Sequence, residues 1–157
     1  MRLLFKEDGN LNGWRDALKG VIWSGRMEEI LLGVFVDGAH NYSAVERFVQ
    51  SIPKNTKGNI LLFSAVQEKN YDEMIECLCK NVDADCFVIT HISNKRAADT
   101  EELAKIFRKY TNRPVIVKPQ FEEAWEYVLS IKGERTVYCL GSLYLVGMIK
   151  ELEYRGG

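Results

Sequence analysis

Short apolar runs and helical stripes alternate along most of this chain. Val34-Phe35-Val36 is a β-branched and aromatic run that stops at Asp37-Gly38, and from Ser43 to Ile52 the apolar positions Val45, Phe48, Val49 and Ile52 recur at a helical period. Pro53 and the polar stretch Lys54 to Gly58 close that helix. The same alternation then repeats. Ile60 to Phe63 predicts a strand and Tyr71 to Lys80 a helix; Cys86 to Ile89 a strand and Thr100 to Tyr110 a helix. Val115 to Val117 and Phe121 to Ser130 form the next such pair, Val137 to Leu140 and Leu143 to Leu152 the last. Asp99 or Thr100 can cap its helix, with Glu101 and Glu102 favoured at the positive end of the dipole. The first thirty residues are less regular. Turn signals at Asp8-Gly9-Asn10 and Asn12-Gly13 precede a possible short helix from Trp14 to Leu18, and Arg26 to Leu31 reads as an edge strand after Gly25.

Five strand–helix units in succession predict a parallel sheet covered by helices on both faces. The strands are continuous apolar runs, as strands buried on both sides must be. The expected fold is α/β: a Rossmann-like, doubly wound, mostly parallel sheet of about six strands, in one domain spanning residues 1–157. Without internal repeats or an evident linker, that length suits a single core. Hydrophobic residues are 46% and charged residues 27%, with 21 basic against 22 acidic side chains and a formal charge of -1. This balance offers no field for nucleic acid or an anionic membrane. No apolar stretch approaches the ~20 residues of a spanning helix, and the N-terminal apolar region is too short for a signal peptide. A cytoplasmic address is therefore expected. Cys77, Cys79, Cys86 and Cys139 lack zinc-finger spacing and are expected to be buried, reduced thiols; a metal held by Cys86 or Cys139 with His91 is a weak alternative, and no metal ligand is assigned.

In an open parallel sheet, ligands bind outside the carboxyl ends of the strands. Those ends carry Asp37 to Asn41, Ser64 to Lys69, Thr90-His91, Lys118 and Gly141-Ser142. In the first, an acid ends a buried strand, small residues let a ligand approach, and His40 and Asn41 stand just before a helix. Asp37 suits a ribose hydroxyl and His40 a phosphate, at a helix start that favours anions. Asp37 and Asn41 suit equally well a simple capping role. Ser142 likewise either caps the last helix or helps hold a carboxylate. Lys69 and the group Asn94-Lys95-Arg96 are candidate anion clamps, or merely solvated cations. The chain contains no G-x-x-x-x-G-K-[ST] loop, no G-x-G-x-x-G after the first strand, and no G-x-S-x-G elbow.

Two segments go further. Trp23-Ser24-Gly25-Arg26-Met27-Glu28 and Val36-Asp37-Gly38-Ala39-His40-Asn41 resemble the W-P-G-R-x-E and D-G-A-H-N signatures of folylpolyglutamate synthases in the Mur ligase superfamily. Glu68-Lys69, Arg96-Ala97 and Gly141-Ser142-Leu143-Tyr144-Leu145-Val146-Gly147 add to the resemblance, which runs from about Trp14 to Leu152. It implies the C-terminal domain of an ATP-dependent ligase that adds L-glutamate to the γ-carboxylate of folates through an acyl phosphate. It further implies ATP and Mg2+, with the magnesium ligands mainly on an N-terminal P-loop ATPase domain that this chain lacks. On this reading the chain is half of an enzyme, a fragment not competent by itself, whose partners are that domain, folate and L-glutamate.

By position, Arg26, Asp37, His40 and Asn41 match the nucleotide side, with His40 the catalytic candidate, while Lys69, Arg96 and Ser142 match the substrate side. Ser24 stands where the family usually has proline, and Asn70 where an aspartate usually follows the lysine. Two alternatives remain beside this reading: dihydrofolate synthase activity in the full enzyme, and a stand-alone, non-catalytic module that binds a nucleotide or metabolite.

Overall fold

The computed structural model describes residues 26–54, 58–67 and 71–156, the side chains of 155 and 156 excepted. The possible helix at Trp14 to Leu18, the first half of the Trp23–Glu28 segment and the loop bearing Lys69 lie outside the described residues. Eleven elements follow one another: β1 (Glu28–Leu31), β2 (Val34–Val36), α1 (Tyr42–Ser51), β3 (Asn59–Phe63), α2 (Tyr71–Asn81), β4 (Ala84–Ile89), α3 (Thr100–Tyr110), β5 (Val115–Val117), α4 (Phe121–Lys132), β6 (Val137–Leu140) and α5 (Leu143–Gly156).

They build one Rossmann-like α/β sheet of six strands in the order β1-β2-β6-β3-β4-β5. All neighbours are parallel except the β1–β2 hairpin. Alternation within the strands explains the layering. In β3, Leu61 and Phe63 join the core beneath α1, α2 and α3, while Ile60 and Leu62 join the core beneath α4 and α5. The two helical layers reflect the direction of travel. The chain steps one way from β2 to β5, then reverses to insert β6 between β2 and β3. Because crossovers keep one hand, a reversal moves the connecting helix to the other face.

The ends of the elements have local causes. Ile52 leaves the helical region with ψ 131, as a residue before proline must, so α1 stops at Ser51 ahead of its predicted end. Asp99 caps α3, accepting from the N–H groups of Glu101 and Glu102. β1 starts two residues later than predicted, because Met27 adopts φ 48 and cannot extend a strand. Phe107 sits between Phe63 and Phe87 at centroid distances of 5.2 and 5.0 Å, which locks α3 onto the sheet. Among the described residues, no helix is long and apolar enough to cross a membrane.

Candidate functional site

At the carboxyl ends of β2 and β6 the chain leaves toward opposite faces: β2 into α1, β6 into α5. Such a divergence opens a crevice. Here it is a cleft of about 350 Å³. One wall is the turn from Asp37 to Asn41 with one face of α1; Arg26 and Met27 form the second, and Leu143 closes the floor.

Each residue of the turn has a defined local task. Asp37 is buried and its Oδ1 accepts from the N–H of Ala39 at 2.8 Å, folding the chain back after the strand. Gly38 is packed so closely that a β-carbon there would stand 2.6 Å from Leu143 Cδ2. His40 is exposed, with Nδ1 2.9 Å from the carbonyl of Gly38. A carbonyl can only accept, so Nδ1 carries the hydrogen and Nε2 is left to meet a ligand. Asn41 is the N-cap of α1, its Oδ1 accepting from the Ala44 N–H at 2.9 Å. The capping roles anticipated for Asp37 and Asn41 are both present, at the rim of the cleft.

Asp37 also reaches across it. Its Oδ2 accepts from the N–H of Met27 at 3.1 Å, which places Arg26 at the mouth. Burial pushes the Asp37 carboxyl above its ordinary value. Hydrogen bonds from Ala39 and Met27 pull the other way, followed by the charges of Arg26 and Arg47. Arg47, on α1, was not among the residues singled out in the sequence, where one more helix cation looks solvated. Its signal is positional: it lies six residues beyond Asn41, on the α1 face that also brings Ala44, Phe48 and Ser51 to the cleft. The result is an apolar floor under two guanidinium groups, an imidazole and a hydroxyl. That combination can hold a flat ring and an anionic tail together.

The remaining candidates stand apart. Ser142 is buried and does not line the cleft; its Oγ accepts from the Tyr144 N–H at 3.0 Å, at the start of α5. Gly141 before it takes φ 112, and a β-carbon would stand 2.0 Å from the Ser64 carbonyl oxygen, so only glycine fits. Arg96 is exposed in the loop after β4 and reaches the Gln67 carbonyl, tying that loop to the one after β3. Lys69 lies outside the described residues. The hydroxyls of Ser64 and Thr90 are wholly buried, whereas His91 beside Thr90 is exposed and does not line the cleft. All four cysteines are free and three are buried. Burial pushes the Cys86 and Cys139 thiols up and that of Cys79 up to about 12. Among the described residues, no three His, Cys, Asp or Glu side chains converge where they could hold a metal ion.

The model of the Mur ligase, glutamate ligase domain matches residues 25–143, which takes in both walls of the cleft. The chain belongs to this Mur ligase family. Against curated protein sequences nothing matches. Among solved structures, the Mur ligase chain superposes on Mycobacterium tuberculosis folylpolyglutamate synthase complexed with ADP and AMPPCP, with a TM-score of 0.72 and 22% identity over 82% of this chain and 31% of that one. Escherichia coli FolC in complex with DHPP and ADP gives the same TM-score and identity over 94% and 36%. The bifunctional folylpolyglutamate synthase/dihydrofolate synthase of Yersinia pestis, complexed with AMPPNP and Mn ion, gives 0.72 at 17% identity over 92% and 35%. At these identities the likeness is one of fold. This Mur ligase domain spans about a third of the length of each of those proteins.

Proposed function

We propose that this chain is the C-terminal domain of a folylpolyglutamate synthase, covering the nucleotide and the incoming glutamate while a P-loop ATPase domain holds the phosphates. The observation that carries the reading is the cleft itself: Arg26, Asp37, His40 and Asn41 come from two separated segments of signature type and line one cavity at a switch point of the sheet. All of the proteins compared above carry nucleotides in their structures.

In the proposed reaction, a folate carboxylate oxygen attacks the γ-phosphorus of ATP, and the bond to the β-phosphate oxygen breaks to release ADP. The amino nitrogen of glutamate then attacks the acyl carbon. The tetrahedral intermediate expels phosphate, and the nitrogen loses its proton to give the amide. Such a transfer depends chiefly on positioning and charge stabilisation. The cleft suits its share. Met27, Phe48 and Leu143 offer an apolar bed for a base, while Arg26 and Arg47 present cations to phosphate oxygens. Nε2 of His40 is the imidazole atom left to approach the ligand. Ser142 and the start of α5 are assigned to the glutamate side, with Lys69 and Arg96. Magnesium would offset the charge of the phosphates, and its ligands are assigned mainly to the P-loop domain.

Labelled-glutamate incorporation into tetrahydrofolate, with ATP and magnesium, tests the reading. The chain is assayed by itself and joined to a P-loop domain from the family. Turnover only in the joined protein is the expected result. A folded joined protein that incorporates no glutamate would overturn the ligase reading in favour of a binding module. Dihydropteroate as acceptor distinguishes dihydrofolate synthase activity from glutamate chain extension.

A further inference from the structure

Arg26 enters the cleft from the residue before a bend, and its aim depends on the two residues that follow. Met27 is the one non-glycine residue at positive φ among the described residues (φ 48), a conformation disfavoured for any residue with a β-carbon. Glu28 opens β1 on the outer edge of the sheet, opposite Val36. Each has an anchor from elsewhere in the fold. The Met27 N–H donates to Asp37 Oδ2 at 3.1 Å, and Glu28 Oε1 lies 2.6 Å from Lys150 Nζ. Lys150 belongs to α5, does not line the cleft, and keeps only 9% of its side chain exposed, against 31% for Glu28. The contact is an ion pair, and Glu28 Oε1 is itself buried. An apolar side chain would cover the sheet here without desolvating an ammonium group. A lysine at this place acts by direction.

We infer that Asp37 and Lys150 form a two-point clamp on the segment that carries Arg26, and that Lys150 is a positioning residue for the anion site although it meets no ligand. Asp37 holds Met27 in its bend; Lys150 holds Glu28 where that bend becomes a strand. The consequence for ligand binding rests on the nucleotide reading of the cleft, whereas the consequence for Met27 does not.

The test uses the whole 157-residue chain, labelled with 15N, and reads two quantities: hydrogen exchange at the Met27 amide and affinity for ADP. Lys150→Met is expected to speed exchange at Met27 at least ~10-fold, leave the Leu62 amide of the central strand unchanged, and weaken ADP binding about 10-fold. Lys150→Arg is expected to return both near wild type, because it restores the charge. Glu28→Gln should reproduce Lys150→Met, and carries the same two readings if Lys150→Met does not fold. Unchanged exchange at Met27 in a folded variant would overturn the clamp; faster exchange with unchanged ADP affinity would overturn Lys150 as a positioning residue for the anion site. If the wild-type chain binds no ADP, the nucleotide reading of the isolated chain falls, and exchange at Met27 still decides the clamp.

Discussion

The backbone N–H of Met27 donates to the carboxylate of Asp37 across a cleft, ten residues away in sequence. The carboxylate that shapes the turn into α1 therefore also sets where Arg26 stands. Its burial has a consequence for pH. Desolvation holds the Asp37 carboxyl above its ordinary value of 3.8, so between 3.8 and its folded value the native chain binds more protons than the unfolded one. Stability contributed by this group is present below 3.8 and is lost as pH rises through the folded value. Asp37→Asn should remove that slope. Urea unfolding of both proteins across this acidic range would show the wild type losing its relative advantage as pH rises; parallel profiles would contradict the assignment.

Gly141→Ala should be among the most damaging small substitutions. The added β-carbon would stand 2.0 Å from a backbone oxygen, at a φ of 112 that alanine avoids. A loss of about 3 kcal/mol or more is expected. Gly133→Ala is the comparison: nothing lies within 4 Å of the new atom, so only the backbone conformation, φ 55 and ψ -125, opposes alanine, at a cost of about 1–3 kcal/mol. Chemical denaturation of the two variants compares them; a Gly141→Ala no more damaging than Gly133→Ala would contradict the close contact at Gly141.

Asn41→Ala removes the side chain that accepts from the Ala44 N–H at the start of α1. A loss of about 1 kcal/mol is expected from the missing cap, and Asn41→Asp should restore most of it. If Asn41→Ala also weakens ADP binding while Asn41→Asp leaves it weak, the amide is in contact with the ligand as well as the helix.

Arg26→Ala and Arg47→Ala should each raise the KM for ATP about 10-fold in the joined enzyme, with little effect on folding because both side chains are exposed. The effects should shrink at high salt, as expected for cations at an open cleft. Unaltered kinetics for Arg47→Ala would remove that residue from the anion site and leave Arg26 as its cation.

Much of this organisation was legible along the chain, for a local reason. Strands with both faces buried must be apolar throughout, as Ile60 to Phe63 are. A helix with one buried face must carry that face at a 3.6 period, as Leu103, Ala104 and Phe107 do in α3. Turn chemistry is equally local, which is why Asp37, Asn41 and Asp99 could be read as capping residues from their neighbours alone. The candidate site was legible at Asp37 to Asn41 and at Arg26 through their spacing and resemblance. It was not legible at Arg47, because a cation on an amphipathic helix looks the same whether it faces solvent or a cleft.

By itself, then, the sequence determined the alternating elements, the burial of both sheet faces and the chemistry available at each strand end. It did so because backbone geometry imposes its period on any chain that forms a core. Only the tertiary structure decided that β6 inserts between β2 and β3, that the resulting divergence of α1 and α5 opens the cleft, and that Lys150 meets Glu28. Those relationships depend on strand order. Parallel strands are joined through crossovers, so neighbours in the sheet need not be neighbours in sequence, and no local pattern records which strand lies beside which.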